Sequence, residues 1–208
     1  MRSFKYANIE IHALGHASFM LQGSSSTLYF DPYVLPDAPK KADVIFISHA
    51  HYDHCSPEHV VKISGPDTLI VTTADCASNL KGNVKVVSAG DSFSVKGLDV
   101  LAVPAYNIGK PFHPKGSGVG FVVSLDGVRV YHAGDTDLIP EMSDVQADVA
   151  LLPIGGTYTM DVSEAAKAAA AIGPKLVIPM HYNFIDGTEA DPSEFERLLT
   201  KTTIQVKY

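Results

Sequence analysis

The chain has 208 residues, 46% of them hydrophobic and 19% charged, the make-up of a soluble globular protein long enough to bury one sizeable core. A formal net charge of −7 lacks the basic footprint of a nucleic-acid binder. No apolar run approaches the ~20 residues that span a bilayer, and no signal-peptide pattern follows Met1, so a single cytoplasmic domain over residues 1–208, away from membranes, is expected.

In chain order, residues 9–14, 18–22 and 27–30 read as strands around the turns Gly15-His16 and Gly23-Ser24-Ser25-Ser26. Asp31-Pro32 ends the third strand; Asp31 either accepts a hydrogen bond from a metal-ligating histidine or stabilises its own turn. Residues 43–47 form a β-branched and aromatic run that reads as a buried strand, and Ser56-Pro57 then opens a helix. A strand at 68–72, a helix at 73–80 and a strand at 84–88 follow. Next come a hairpin of 93–95 with 98–103 about Lys96-Gly97, and a long loop at 104–118. Strands at 120–123 and 128–133 lead to Asp137, which either braces a ligand or caps a helix running to Met142. His132 is expected to pack within the sheet. Then come a strand at 148–153, the glycine-bearing loop 154–160, a helix at 163–172 stopped by Gly173-Pro174, and a strand at 175–180. A helix opening at Asp191-Pro192 and a strand at 203–206 close the chain. Strands alternating with helices imply an α/β architecture.

Between the strand at 43–47 and the helix at Ser56 lies Ser48-His49-Ala50-His51-Tyr52-Asp53-His54-Cys55. Three histidines and an aspartate within six positions supply the nitrogen and oxygen donors that divalent metals take. His49 and His51, two apart on extended chain, point the same way and can grip one ion. Asp53 and His54, after the chain has curled, can face another. Cys55 and Cys76 are too few for a disulfide framework, and Cys55 reads as a small buried residue.

The spelling His-x-His-x-Asp-His closely resembles the signature of the metallo-β-lactamase superfamily. Gly134-Asp135-Thr136 after a strand is similar to its second motif, and Pro179-Met180-His181-Tyr182 to its last ligand histidine. Gly15-His16-Ala17-Ser18-Phe19 with Phe30-Asp31-Pro32 resembles a lactonase-like branch that includes ascorbate-6-phosphate lactonase. The resemblance implies a four-layer αββα sandwich and two divalent metal ions, most readily zinc, with manganese, nickel or iron as alternatives. His49, His51 and His113 would hold one ion and Asp53, His54 and His181 the other, with Asp135 bridging; Asn107 is the alternative to His113. His16 either caps its hairpin or stands at the rim of the site with Tyr158 and Thr159 as substrate contacts. Asp53 would also orient the nucleophile, a hydroxide available near pH 7 because bound metal lowers the pKa of water.

The reading is a hydrolase of an ester, lactone or phosphodiester of a small anionic metabolite, with Lys110, Lys115 and His16 as anion-binding candidates. Two alternatives remain: an iron redox protein of the same fold, although the diiron branch carries glutamate where this chain has His51, and a metal-holding module without turnover. Self-association is a prior from the branch alone.

Overall fold

The strands sort into two sheets of the same plan. The computed structural model describes residues 1–200 and 204–208. The first sheet runs β1 (Arg2–Tyr6), β2 (Ile9–Gly15), β3 (Ser18–Gln22), β4 (Thr27–Phe30), β5 (Val44–Ile47), β6 (Leu69–Thr72), β7 (Asn83–Val86) in spatial order. The second runs β8 (Ser92–Val95), β9 (Leu98–Ala105), β10 (Gly118–Leu125), β11 (Val128–His132), β12 (Val149–Pro153), β13 (Leu176–Met180), β14 (Gln205–Val206). In each sheet the first four strands pair antiparallel and the rest parallel, the change falling at β4 and at β11. Strand β1 was not anticipated. The expected last strand is β14; Thr203 lies outside the described residues.

Side-chain alternation separates the layers. Phe19, Leu21, Leu28, Phe30, Val44 and Phe46 share one buried cluster with Phe121, Val123 and Val130 of the second sheet. The rings of Phe46 and Phe121 meet across the interface at 5.1 Å. Met20, Tyr29, Ile45, Ile47 and Ile70 face the other way, onto α1 (Pro57–Ile63) and α2 (Ala74–Ala77). On the second sheet α3 (Val162–Ile172) packs on β12 and on α4 (Pro192–Leu199). This is the αββα order that the resemblance implied.

Helix limits follow local chemistry. Asp161 and Glu164 form a reciprocal capping box at the start of α3, and Gly173, with φ +66°, ends it. The helix expected from Asp137 is instead a short 3₁₀ turn, Pro140–Asp144, opened by proline. The helix expected at 73–80 shrinks to the four residues of α2.

One expectation is overturned outright. Cys55 and Cys76 form a disulfide, with Cα atoms 6.4 Å apart. The bond ties the end of the histidine-rich segment to α2 and closes a loop of separation 21. Closing such a loop stabilises by about 3 kcal/mol. The double variant Cys55→Ala/Cys76→Ala should therefore unfold about 6–12 °C lower in calorimetry, and an unchanged midpoint would remove the bond from the fold's support.

Candidate metal centre

The parallel strands of both sheets deliver the chemistry at their C-terminal ends. Ser48 and His49 follow β5, Asp31 follows β4, Asp135 lies just past β11, and His181 follows β13. Opposed strand ends are where open sheets bind ligands. The β2–β3 turn adds His16, and the β9–β10 loop adds His113.

Their donor atoms converge. His49, His51 and His113 present ligand atoms within 4.8 Å of one another, as do His16, Asp53, His54 and His181, and as do His49, His54 and Asp135. Asp135 contacts histidines of both groups: Oδ2 is 3.3 Å from His113 Nε2 and 3.0 Å from His181 Nε2, and Oδ1 is 3.3 Å from His54 Nε2. His49 Nε2, His54 Nε2, His181 Nε2 and Asp135 Oδ1 are buried without a hydrogen-bond partner. Buried polar atoms are normally satisfied, so four orphans aimed into one space fit a metal and fit little else.

The remote ring nitrogens are fixed. His54 Nδ1 donates to Asp31 Oδ2 at 2.7 Å. Ser48 Oγ donates to the same carboxylate at 2.7 Å and accepts from His49 Nδ1 at 2.9 Å. These bonds turn Nε2 of both rings toward the cluster, as metal-ligating histidines require. Asp31 thus takes the bracing role rather than a mere turn. His113, not Asn107, is grouped with His49 and His51. Asn107 Oδ1 accepts from His113 Nδ1 at 3.0 Å and from its backbone N–H at 2.9 Å, while Asn107 Nδ2 donates to Asp137 Oδ1 at 3.1 Å. Asn107 aims the histidine, and Asp137 braces Asn107 without capping a helix.

Electrostatics keep the donors in ligand form. Burial, reinforced by charge on His54, holds the His49 pKa well below 6.5. Burial also lowers His51 and His16. Asp31 is pushed up by burial but pulled further down by His54 and His132, to about 2. Asp53 and Asp135 are likewise pushed up by burial and brought down by surrounding histidines. His54 goes the other way: burial opposes its charge, yet Asp135 and Asp31 hold its pKa well above 6.5.

Other expectations move. His16 is no rim residue: its side chain is fully buried and Nε2 donates to Asp53 Oδ2 at 2.9 Å. Its ring lies 4.0 Å from that of His181, and its backbone carbonyl accepts from His181 N–H at 3.1 Å. Thr159 is fully buried and away from the cleft. Tyr158 does line the cleft. The double glycine packs against protein, not ligand: a Cβ on Gly155 would collide with the carbonyl oxygen of His181. Lys110 is spent on Asp137 Oδ1 and on the carbonyls of Gly156 and Thr159, and Lys115 pairs with Glu141 at the surface; neither lines the cleft. His132 packs in the sheet as expected, with Nε2 donating to the Ala17 carbonyl at 2.9 Å.

The cleft over the cluster measures about 290 Å³ and is lined by His51, Asp53, His113, Asp135 and His181 together with Tyr52, Phe112, Tyr158 and Ile185. Larger hollows of about 530 Å³ lie elsewhere on the surface; donor chemistry, not size, marks the site.

Replacing Asp31 by asparagine should weaken metal binding 10–100-fold, as read by competition with a chromophoric chelator. Wild-type affinity in that variant would remove the bracing role. Asp135 and Asp31 raise the His54 pKa, so a cation taken at Nε2 competes with a proton there. Binding should therefore release about one proton and tighten as pH rises through the neutral range. Calorimetric titration in buffers of different ionisation enthalpy measures the release; none would contradict the charge on His54.

Residues 10–181 match the family described as the beta-lactamase superfamily domain. A UPF0173 metal-dependent hydrolase of Pyrococcus abyssi is 39% identical, the match covering 92% of each chain. A solved Parabacteroides distasonis structure superposes with TM-score 0.86 at 34% identity, covering 99% of this chain and 96% of the other. Igni18, a metallo hydrolase from Ignicoccus hospitalis, follows with TM-score 0.81 at 28% identity, covering 96% and 94%. The chain belongs to the metallo-β-lactamase superfamily, among its UPF0173 metal-dependent hydrolases.

Proposed function

We propose that this hydrolase works with two divalent ions, most readily zinc, and opens an ester, lactone or phosphodiester bond of a small molecule. His49, His51 and His113 would hold one ion; Asp53, His54 and His181 would hold the other. Asp135 would serve both, and its contacts with histidines of the two groups are the observation that carries the reading. Imidazole and carboxylate in this proportion suit zinc. Bound there, the ions supply Lewis acidity and a water acidified toward neutral pH.

The protein's own groups supply the rest. His16 holds Asp53 Oδ2 at 2.9 Å, which would fix the carboxylate's direction toward the ion and, with it, the orientation of the bound water. Tyr158, edge-on to Phe112 at 4.8 Å, would contact the substrate in the cleft. The net charge of −7 supports a small-molecule substrate over nucleic acid. The two sheets share one apolar cluster and both contribute donors, which supports a single domain across 1–208. The cytoplasm is the proposed location. The Cys55–Cys76 bond bears on it, since disulfides are rare in mesophilic cytosol and common inside hyperthermophiles.

The test is elemental analysis of purified protein beside His49→Ala and Asp135→Ala, with hydrolysis of lactones and phosphodiesters assayed in parallel. Close to two zinc ions per chain in the wild type is the expected result. Both variants should lose metal together with at least a hundredfold in kcat/KM, the scale of an electrostatic catalytic contribution. Iron with oxygen uptake, or no metal after loading, would overturn the proposal.

A further inference from the structure

From the walls of the cleft we infer that the substrate is an uncharged ester or lactone carrying an apolar acyl chain. The inference rests on the hydrolase reading of the same site and narrows its substrate class, setting the phosphodiester and the anionic metabolite expected from the sequence aside. Leaving aside the residues already assigned to metal, the cleft is lined by Tyr52, Phe112, Tyr158 and Ile185. None carries charge, and no lysine or arginine lines the cleft among the described residues. Of the two lysines of the adjoining loop, Lys110 is held by the buried Asp137 carboxylate and two carbonyls, and Lys115 pairs with Glu141 at the surface; neither lines the cleft.

The aromatic surface continues outward. Phe112 is 39% exposed and Tyr52 67% exposed. Tyr52 meets Tyr33 edge-on at 5.8 Å, and Tyr33 meets Phe184, itself half exposed, at 6.2 Å. Clustered exposed apolar side chains beside a cleft mark a binding surface rather than scattered surface residues. A carboxylate or phosphate on the substrate's tail would be desolvated against these rings with no cationic side chain to receive it, only the neutral hydroxyls of Tyr52 and Tyr158. An acyl chain would gain about fourfold in binding for each methylene buried there.

The probes are p-nitrophenyl acetate, butyrate and hexanoate, with p-nitrophenyl succinate as the anionic counterpart of butyrate. For the metal-loaded protein, kcat/KM should rise about tenfold from acetate to butyrate, and succinate should fall at least tenfold below butyrate. Phe112→Ala should flatten the chain-length series with metal content unchanged, and Phe112→Lys should shift preference toward succinate. Calorimetric binding of hexanohydroxamic acid and of succinic monohydroxamic acid separates the two readings. Tenfold tighter binding of the hexanoyl compound without turnover of any ester would sustain the preference for an uncharged apolar chain and overturn the hydrolytic reading of the site. Turnover with succinate equal to or above butyrate would overturn the substrate class alone. Failure of both compounds to bind, or a chain-length series that Phe112→Ala leaves intact, would also overturn it.

Discussion

The carboxylate of Asp31 is the constraint on which the metal centre hangs. It is buried at the end of β4 and accepts from Ser48 N–H at 2.7 Å, Ser48 Oγ at 2.7 Å and His54 Nδ1 at 2.7 Å. Those bonds fix the C-terminal end of β5 against β4 and set the directions of two ligand rings, one directly and one through Ser48. Burying such a charge is costly unless every lone pair is used, and here the partners are supplied by the segment that must be positioned. The same carboxylate reaches the second sheet, with His132 Nε2 at 3.9 Å and the His132 ring stacked on Phe30 at 5.1 Å. One side chain therefore couples the core packing between the sheets to the aim of the donors.

Three of the seven non-glycine residues with positive φ among the described residues lie at the same place. His16, Asp31 and His181 all sit in the left-handed region, at φ +52°, +41° and +54°. Non-glycine residues there cost on the order of 1–3 kcal/mol each and persist where the surroundings over-determine them. The surroundings do so here. His16 and His181 lie on different sheets yet share a backbone hydrogen bond and a ring contact, and Gly155 leaves room for the His181 carbonyl that any side chain would fill. The turn at His16 is therefore a cross-sheet fastening as well as a source of imidazole.

Legibility in the sequence followed range. The strand before His49, the clustered histidines and the glycine stop of α3 are written in neighbouring residues, and local chemistry sufficed to read them. The role of Asp31 was half legible because a carboxylate ending a strand has two local uses; only Ser48 and His54, 17 and 23 positions away, decide between them. Asn107 and Asp137 brace His113 across 30 residues, and no periodicity encodes that. The disulfide was missed because two cysteines 21 apart carry no pairing signal until α2 lies beside the loop. For His16 the turn suggested a hairpin cap and the motif resemblance a place at the rim; the contact with His181 after β13 buries the ring.

Charge balance explains why this cluster needs cations. Asp31, Asp53 and Asp135 are all held ionised, whereas His16, His49, His51 and His132 are held toward the neutral form, and His54 alone is pushed toward its charged form. The directions of these shifts favour carboxylate charge over imidazolium charge in the cluster. Uncompensated buried charge is among the most destabilising features a fold can carry. Lys110 does not relieve it: its ammonium is anchored on Asp137 and two carbonyls, supporting the brace behind His113 at the periphery. The remaining compensation must come from a cation placed where the orphaned Nε2 atoms and Asp135 Oδ1 converge. Metal binding, histidine aim and the stability of the sheet edges are thus one problem, solved by the same few side chains.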